Sequence, residues 1–133
     1  MAGTNSNALE NSVVDHVCGT TDFTFVAQLY LAVFTVNPDF ETGSGGTEAT
    51  GGSYARKAID FTASSGGATS NSGAVAWTVG TDIAAATYTG YAVYSASSGG
   101  TMRFGDAFGS SKTLTGAGDI LNFAIGSVTY STT

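Results

Sequence analysis

The sequence predicts an all-β fold: a single-domain β-sandwich or jelly roll of about seven or eight short strands with one short N-terminal helix. Three observations predict it. Runs rich in Val, Tyr, Phe and Thr recur along the chain, some alternating apolar with polar and some continuously apolar. Clusters of Gly and Ser separate these runs. Only 11% of residues are charged, against roughly 25% in ordinary globular domains. The surface must therefore be wetted by hydroxyls and backbone, which excludes a solvated helix bundle. Gly, Ser and Thr fill about two fifths of the chain, yet 42% of it is hydrophobic and 11% aromatic, the opposite of a disordered composition. The 133 residues suit one domain, 1–133, with no internal boundary or repeat.

Residues 6–19 read as the helix. Asn7 is placed to cap it, with Glu10 three residues later as the capping-box partner. Leu9, Val13, Val14 and Val17 recur at helical spacing and make one apolar stripe. Gly19 is placed to end the helix in the left-handed conformation. His16 falls in the last turn, where the helix dipole favours a cation. A helix this short is not stable alone, so its stripe must dock on its own domain or on a neighbour. Leu9, Val13 and Val17 are therefore candidate interaction residues.

Residues 23–133 read as the sandwich. Gln28 to Thr35 is too continuously apolar to have a wet face and reads as a central strand buried on both sides. The segment 37–53 is a long loop, and such loops are functional, held by partners or conceal a further element. Tyr54 to Phe61 is a further strand candidate. Val75, Trp77 and Val79 alternate with Ala76 and Thr78, as in a half-buried strand. Thr87 to Tyr94 is predicted to place Tyr88, Ala92 and Tyr94 on one side and Thr89, Tyr91 and Val93 on the other. Met102 to Phe108, Ile120 to Ile125 and Val128 to Tyr130 complete the set. Turns are predicted at Ser64–Gly67, Ser97–Gly100, Gly109–Ser111 and Gly116–Gly118.

Charge and composition exclude several functions. The net charge is −6 and the basic residues are only Arg56, Lys57, Arg103 and Lys112, too few to neutralise phosphates, so neither nucleic acid nor an anionic membrane surface is an expected partner. Cys18 has no second cysteine to pair with and, with His16, cannot supply the ligands of an ordinary zinc site. It is expected to be an inert, small apolar core residue. No catalytic residues, cofactor site or metal site are expected. His16 is the single histidine, no Gly-x-Ser-x-Gly elbow is present, the glycine loops lack a following Gly-Lys-Ser/Thr, and no calcium-loop spacing appears among the carboxylates. The aromatics suit a core better than a glycan groove. The first residues carry no basic-then-apolar leader, and Phe25 to Val36, interrupted by Gln28, is too short to span a bilayer. A soluble product of the cytoplasm is expected.

The order of segments carries a resemblance. Asn7-Ala8-Leu9-Glu10-Asn11 leads to Asp15-His16, then to Leu29-Tyr30-Leu31-Ala32-Val33-Phe34-Thr35 and Asn37-Pro38 before a glycine loop. Thr47 to Lys57 follows, with Tyr54-Ala55-Arg56 after a Gly-Gly turn as the most specific part. Gly66 to Ser72, a Ser111-Lys112-Thr113-Leu114 turn and Gly118 to Phe123 complete the series. This series resembles a family of small tailed-bacteriophage virion structural proteins, described as tail-fibre-like or head-decoration proteins. The resemblance implies a non-enzymatic component of the virion, assembled in the host bacterial cytoplasm. The expected role is a capsid decoration, or cement, protein that stabilises the head shell. Its expected partners are copies of itself, as a trimer, and the major capsid protein. The alternative is a tail-fibre or baseplate module binding a host glycan or protein. Arg56 and Lys57 join Leu9, Val13 and Val17 as candidate interaction residues.

Overall fold

A computed structural model describes residues 3–132. In chain order the elements are β1 (Thr4–Asn5), α1 (Asn7–Val17), β2 (Leu29–Val36), β3 (Thr47–Glu48), β4 (Lys57–Ile59), β5 (Ala68–Ser70), β6 (Val75–Thr78), β7 (Ala86–Tyr94), β8 (Met102–Leu114), β9 (Ile120–Phe123) and β10 (Thr129–Ser131). The fold is all-β with a single helix among the described residues, as the strand-like runs predict. Five of the ten strands, β1, β3, β4, β5 and β10, span only two or three residues, too short to leave a periodic signal of their own.

Six strands form the main antiparallel sheet in the order β1-β8-β7-β2-β3, with β4 also on the free edge of β2. β5 pairs with β10 and β6 with β9 in two small antiparallel sheets. The main core gathers Leu31 and Val33 of β2, Tyr88, Tyr91 and Val93 of β7, Trp77 of β6, and Leu121 and Phe123 of β9. Trp77 is fully buried, with its Nε1–H donating to the Ala55 carbonyl at 3.0 Å. Its ring meets Phe123 edge-on at 6.1 Å. Asn71, also fully buried, ties three backbone stretches together. Its Nδ2 donates to the Gly73 and Ala124 carbonyls at 2.8 and 3.0 Å, and its Oδ1 accepts from the Val128 N–H at 2.9 Å.

β2 is buried on both sides, as expected. Ala32 and Phe34 face a second cluster with Ala92 and Met102, against which Phe40 and Tyr94 pack. Phe40 comes from the 37–53 segment, which the chain itself holds. Asp39 Oδ1 accepts from the Glu41 and Thr42 N–H groups, Asn37 Oδ1 accepts from the Thr89 hydroxyl, and the concealed element is β3. Phe40 approaches so closely that a Cβ on Gly105 would lie 2.7 Å from its ring, so only glycine fits there.

Several expectations are corrected. Ser6, not Asn7, caps α1, because its hydroxyl accepts from the Leu9 N–H and donates to the Met102 carbonyl. The third residue after this cap is Leu9, so Glu10 is not a capping-box partner. Gly19 does close the helix, at φ 75°, and the Thr20 N–H bonds back to the Asp15 carbonyl at 2.9 Å. Cys18 is exposed rather than a core residue, because the helix end projects away from the sheet. Tyr88 shares a face with Tyr91 and Val93, not with Ala92. The register between β7 and β8 slips between Tyr88 and Gly90, and a bulge reverses the alternation. Gly109–Ser111 and Ser111–Leu114 are not turns but part of β8, whose far end pairs with Ala86–Tyr88.

Candidate functional site

α1 and the segment that follows it gather the apolar side chains the sheet leaves uncovered. Leu9 is buried, but Val13, Val14 and Val17 are 38%, 58% and 77% exposed. The stripe therefore meets its own domain only at its N-terminal end, where the Ser6 cap fastens α1 to β8. Beyond Gly19, residues 20–28 run back along the helix without strand pairing. The Phe23 N–H donates to His16 Nδ1 at 3.1 Å, and Asp22 stands beside that imidazole at 3.9 Å. Phe25 is 84% exposed.

Between this segment and the sheet lies an apolar recess of about 260 Å³, with Leu9, Phe23, Leu29, Phe61, Phe104 and Tyr130 among its walls. Arg103 is its one charged wall. Phe104 opposes Val93 and Met102 opposes Tyr94, which makes Arg103 the extra residue of a bulge. The bulge aims the guanidinium at the helix side, where its Cζ lies 4.9 Å from the centre of the Phe23 ring. Arg103 also lines a neighbouring polar recess with Ser12, Asp15, Thr21, Asp22 and Thr24. Among the described residues it has no carboxylate partner within 4.0 Å. No sequence signal short of the bulge itself marks Arg103, Phe25 or this recess.

Arg56 and Lys57 lie elsewhere, on the far edge of the main sheet. Arg56 Nε bonds to Glu48 Oε1 at 2.7 Å, and one terminal nitrogen bonds to the Ala96 and Gly99 carbonyls at 3.1 and 2.7 Å. The guanidinium stacks 3.7 Å from the centre of the Tyr94 ring and its side chain is only 11% exposed. Arg56 thus clamps β3 and the β7–β8 turn. Lys57 Nζ reaches Asp82 Oδ2 at 3.3 Å and keeps about a third of its side chain in water. The five residues singled out in the sequence therefore fall into two groups: Leu9, Val13 and Val17 on α1, and Arg56 with Lys57 at a separate corner.

The titratable groups are arranged for structure. The Asp39, Asp82 and Asp119 carboxyls are held below the usual carboxylate range, chiefly by the N–H groups of Thr42, Thr78 and Thr115 respectively. Burial raises the Tyr54 and Tyr91 hydroxyls well above the ordinary tyrosine value, so both stay neutral. Among the described residues no group of three or more His, Cys, Asp or Glu is placed to hold a metal ion. No helix among them is long and apolar enough to cross a membrane.

A family model described as podophage GP4 fiber I protein gp80 matches residues 4–131. The match bears out the resemblance to phage virion structural proteins with tail-fibre character. Comparison with curated proteins returns no match.

Proposed function

The chain belongs to the podophage GP4 fiber I protein gp80 family, and from that premise we propose that it is a non-enzymatic fibre component of the virion. The observation that carries this reading is the family's fibre description together with its reach over nearly the whole chain. The uncovered apolar face of α1 supports it, since a structural subunit needs a surface that another virion protein buries. The chemistry points the same way. The perturbed carboxyls serve as turn caps, and the mostly buried basic side chain of Arg56 is spent on an internal clamp. The net charge of −6 argues for protein partners, namely copies of itself and neighbouring virion proteins, rather than nucleic acid.

A capsid decoration role is the second reading. What favours it is the absence of a shaft-like repeat among the described residues, where the longest element is the 13-residue β8. Labelling the protein on intact particles and counting copies separates the two. Label confined to tail-proximal appendages, at a few copies per particle, supports the fibre. Label spread over the head at hundreds of copies supports decoration, and capsids stripped of the protein would then melt earlier.

A further inference from the structure

We propose that His16 is a proton-operated latch on the segment 20–28: its neutral ring holds Phe23 in the wall of the apolar recess, and its protonated ring lets Phe23 go. The segment is fastened at both ends. The Thr20 N–H donates to the Asp15 carbonyl at 2.9 Å, and Gln28 Nε2 donates to the Ile59 carbonyl and to Asp60 Oδ1 at 3.3 and 3.0 Å. Among the described residues, the bond from the Phe23 N–H to His16 Nδ1, at 3.1 Å, is the one hydrogen bond that ties 22–27 to the rest of the chain. The Phe23 ring lines the recess, and its centre lies 4.9 Å from Arg103 Cζ. What this one bond holds is therefore part of the recess itself.

A ring nitrogen accepts a hydrogen bond only through an unprotonated lone pair, so this bond puts the neutral ring's proton on Nε2. A second proton must go to Nδ1. Nδ1 then becomes a donor facing another donor, the Phe23 N–H, and the bond is lost. The new N–H has an acceptor within reach, because Asp22 Oδ1 stands 3.9 Å from Nδ1. Asp22 is fully exposed, so an ion pair there holds the segment only weakly. The attachment moves back by one residue and Phe23 is freed. The charged groups around the ring are Asp22 on the segment, Asp15 on α1 and Arg103 on β8, which line one polar recess. Asp22 is the one carboxylate within 4.0 Å of the ring nitrogens among the described residues. The side chain of His16 is 55% exposed, so the proton comes straight from solvent. Imidazoles ordinarily change charge between about pH 5 and 8, where the lowered carboxyls of Asp39, Asp82 and Asp119 stay ionised and the turns they cap stay closed. The latch does not depend on where in the virion the chain sits.

Ring-nitrogen NMR and amide hydrogen exchange on the purified full chain test it. At about pH 8 the His16 ring is expected as the Nε2–H tautomer, with the Phe23 amide protected. Between about pH 8 and about pH 5, that protection, corrected for intrinsic exchange, is expected to fall about five- to tenfold as the ring takes its proton. The Trp77 amide is expected to keep its protection, since only the segment opens. His16→Asn places an acceptor that does not titrate where Nδ1 stood, and is expected to abolish the fall. Asp22→Asn removes the second partner and is expected to move the fall to lower pH. An Nδ1–H tautomer at about pH 8 overturns the proposal, as does Phe23 protection that stays level while the His16 ring titrates. A fall that persists unchanged in His16→Asn overturns it too, because another group then releases the segment.

Discussion

The layer around Trp77 and the face around α1 hold similar side chains in opposite states. In the core, Trp77, Tyr91, Phe123 and Leu121 are covered on every side, and both the indole N–H and the whole Asn71 amide find partners. The Tyr91 hydroxyl is the exception, buried without a hydrogen-bond partner. On α1, three valines and then Phe25 remain in water although the chain has apolar walls within reach. Folding of the single chain thus completes one apolar region and leaves the other open.

Substitutions on the two sides separate these roles. The largest loss is expected from Trp77→Ala, about 3–5 kcal/mol by denaturant unfolding, from lost burial and the cavity left behind. Asn71→Leu is expected to cost about 1–3 kcal/mol, because it strands the buried Val128 N–H without an acceptor. Arg56→Ala should cost about 2 kcal/mol by removing a mostly buried partner of Glu48 and two carbonyl contacts, and Arg56→Lys should recover only part of it, since a lysine cannot reproduce the fork.

Acid probes the capping carboxylates of the ordered part. The Asp39, Asp82 and Asp119 carboxyls are lowered from 3.8 in the folded state. Their contribution is therefore complete above the ordinary carboxylate value and is lost as pH falls through the folded values. The melting temperature is expected to hold from neutral pH to about 5 and to drop below about 4, with Asp119→Asn flattening part of that drop. The smallest effect on stability is expected from Val14→Ser with Val17→Ser, within about 0.5 kcal/mol. Under the proposed structural role, the same pair is expected to lower the number of copies retained on virions, counted by labelling. If the pair instead melts the chain as Trp77→Ala does, the distinction between the two regions collapses.

Much of the ordered region was legible in the residues. The continuous run at Leu29–Val36 requires burial on both faces, and Val75-Ala76-Trp77-Thr78 alternates as a strand with one buried face must. The helix end was marked by Gly19 because only glycine enters positive φ without steric cost. What was not legible depends on register. Tyr88 joins Tyr91 where the β7–β8 register slips between Tyr88 and Gly90, and the position of such an irregularity depends on the pairing partner rather than on the residues of β7 alone. Ser6 takes the cap from Asn7 because the Met102 carbonyl, distant in sequence, waits to receive its hydroxyl. Either residue type is a good cap by local rules.

The candidate surface divides in the same way. That α1 carries an apolar stripe follows from spacing alone, since 3.6 residues per turn align Leu9, Val13 and Val17. Which of them meets the protein's own core follows only from where β8 fastens the helix, and that leaves Leu9 inside and Val17 outside. Arg56 and Lys57 are adjacent in sequence and look alike there. Tertiary structure turns one inward to Glu48 and Tyr94 and leaves the other about a third in water. The sequence by itself determined the fold class, the turns at Ser64–Gly67, Ser97–Gly100 and Gly116–Gly118, and the amphipathic helix, because these rest on backbone periodicity and the conformational freedom of glycine. Tertiary structure alone decided which apolar and charged groups are used up and which stay open for a neighbour, because burial depends on what the rest of the chain places alongside.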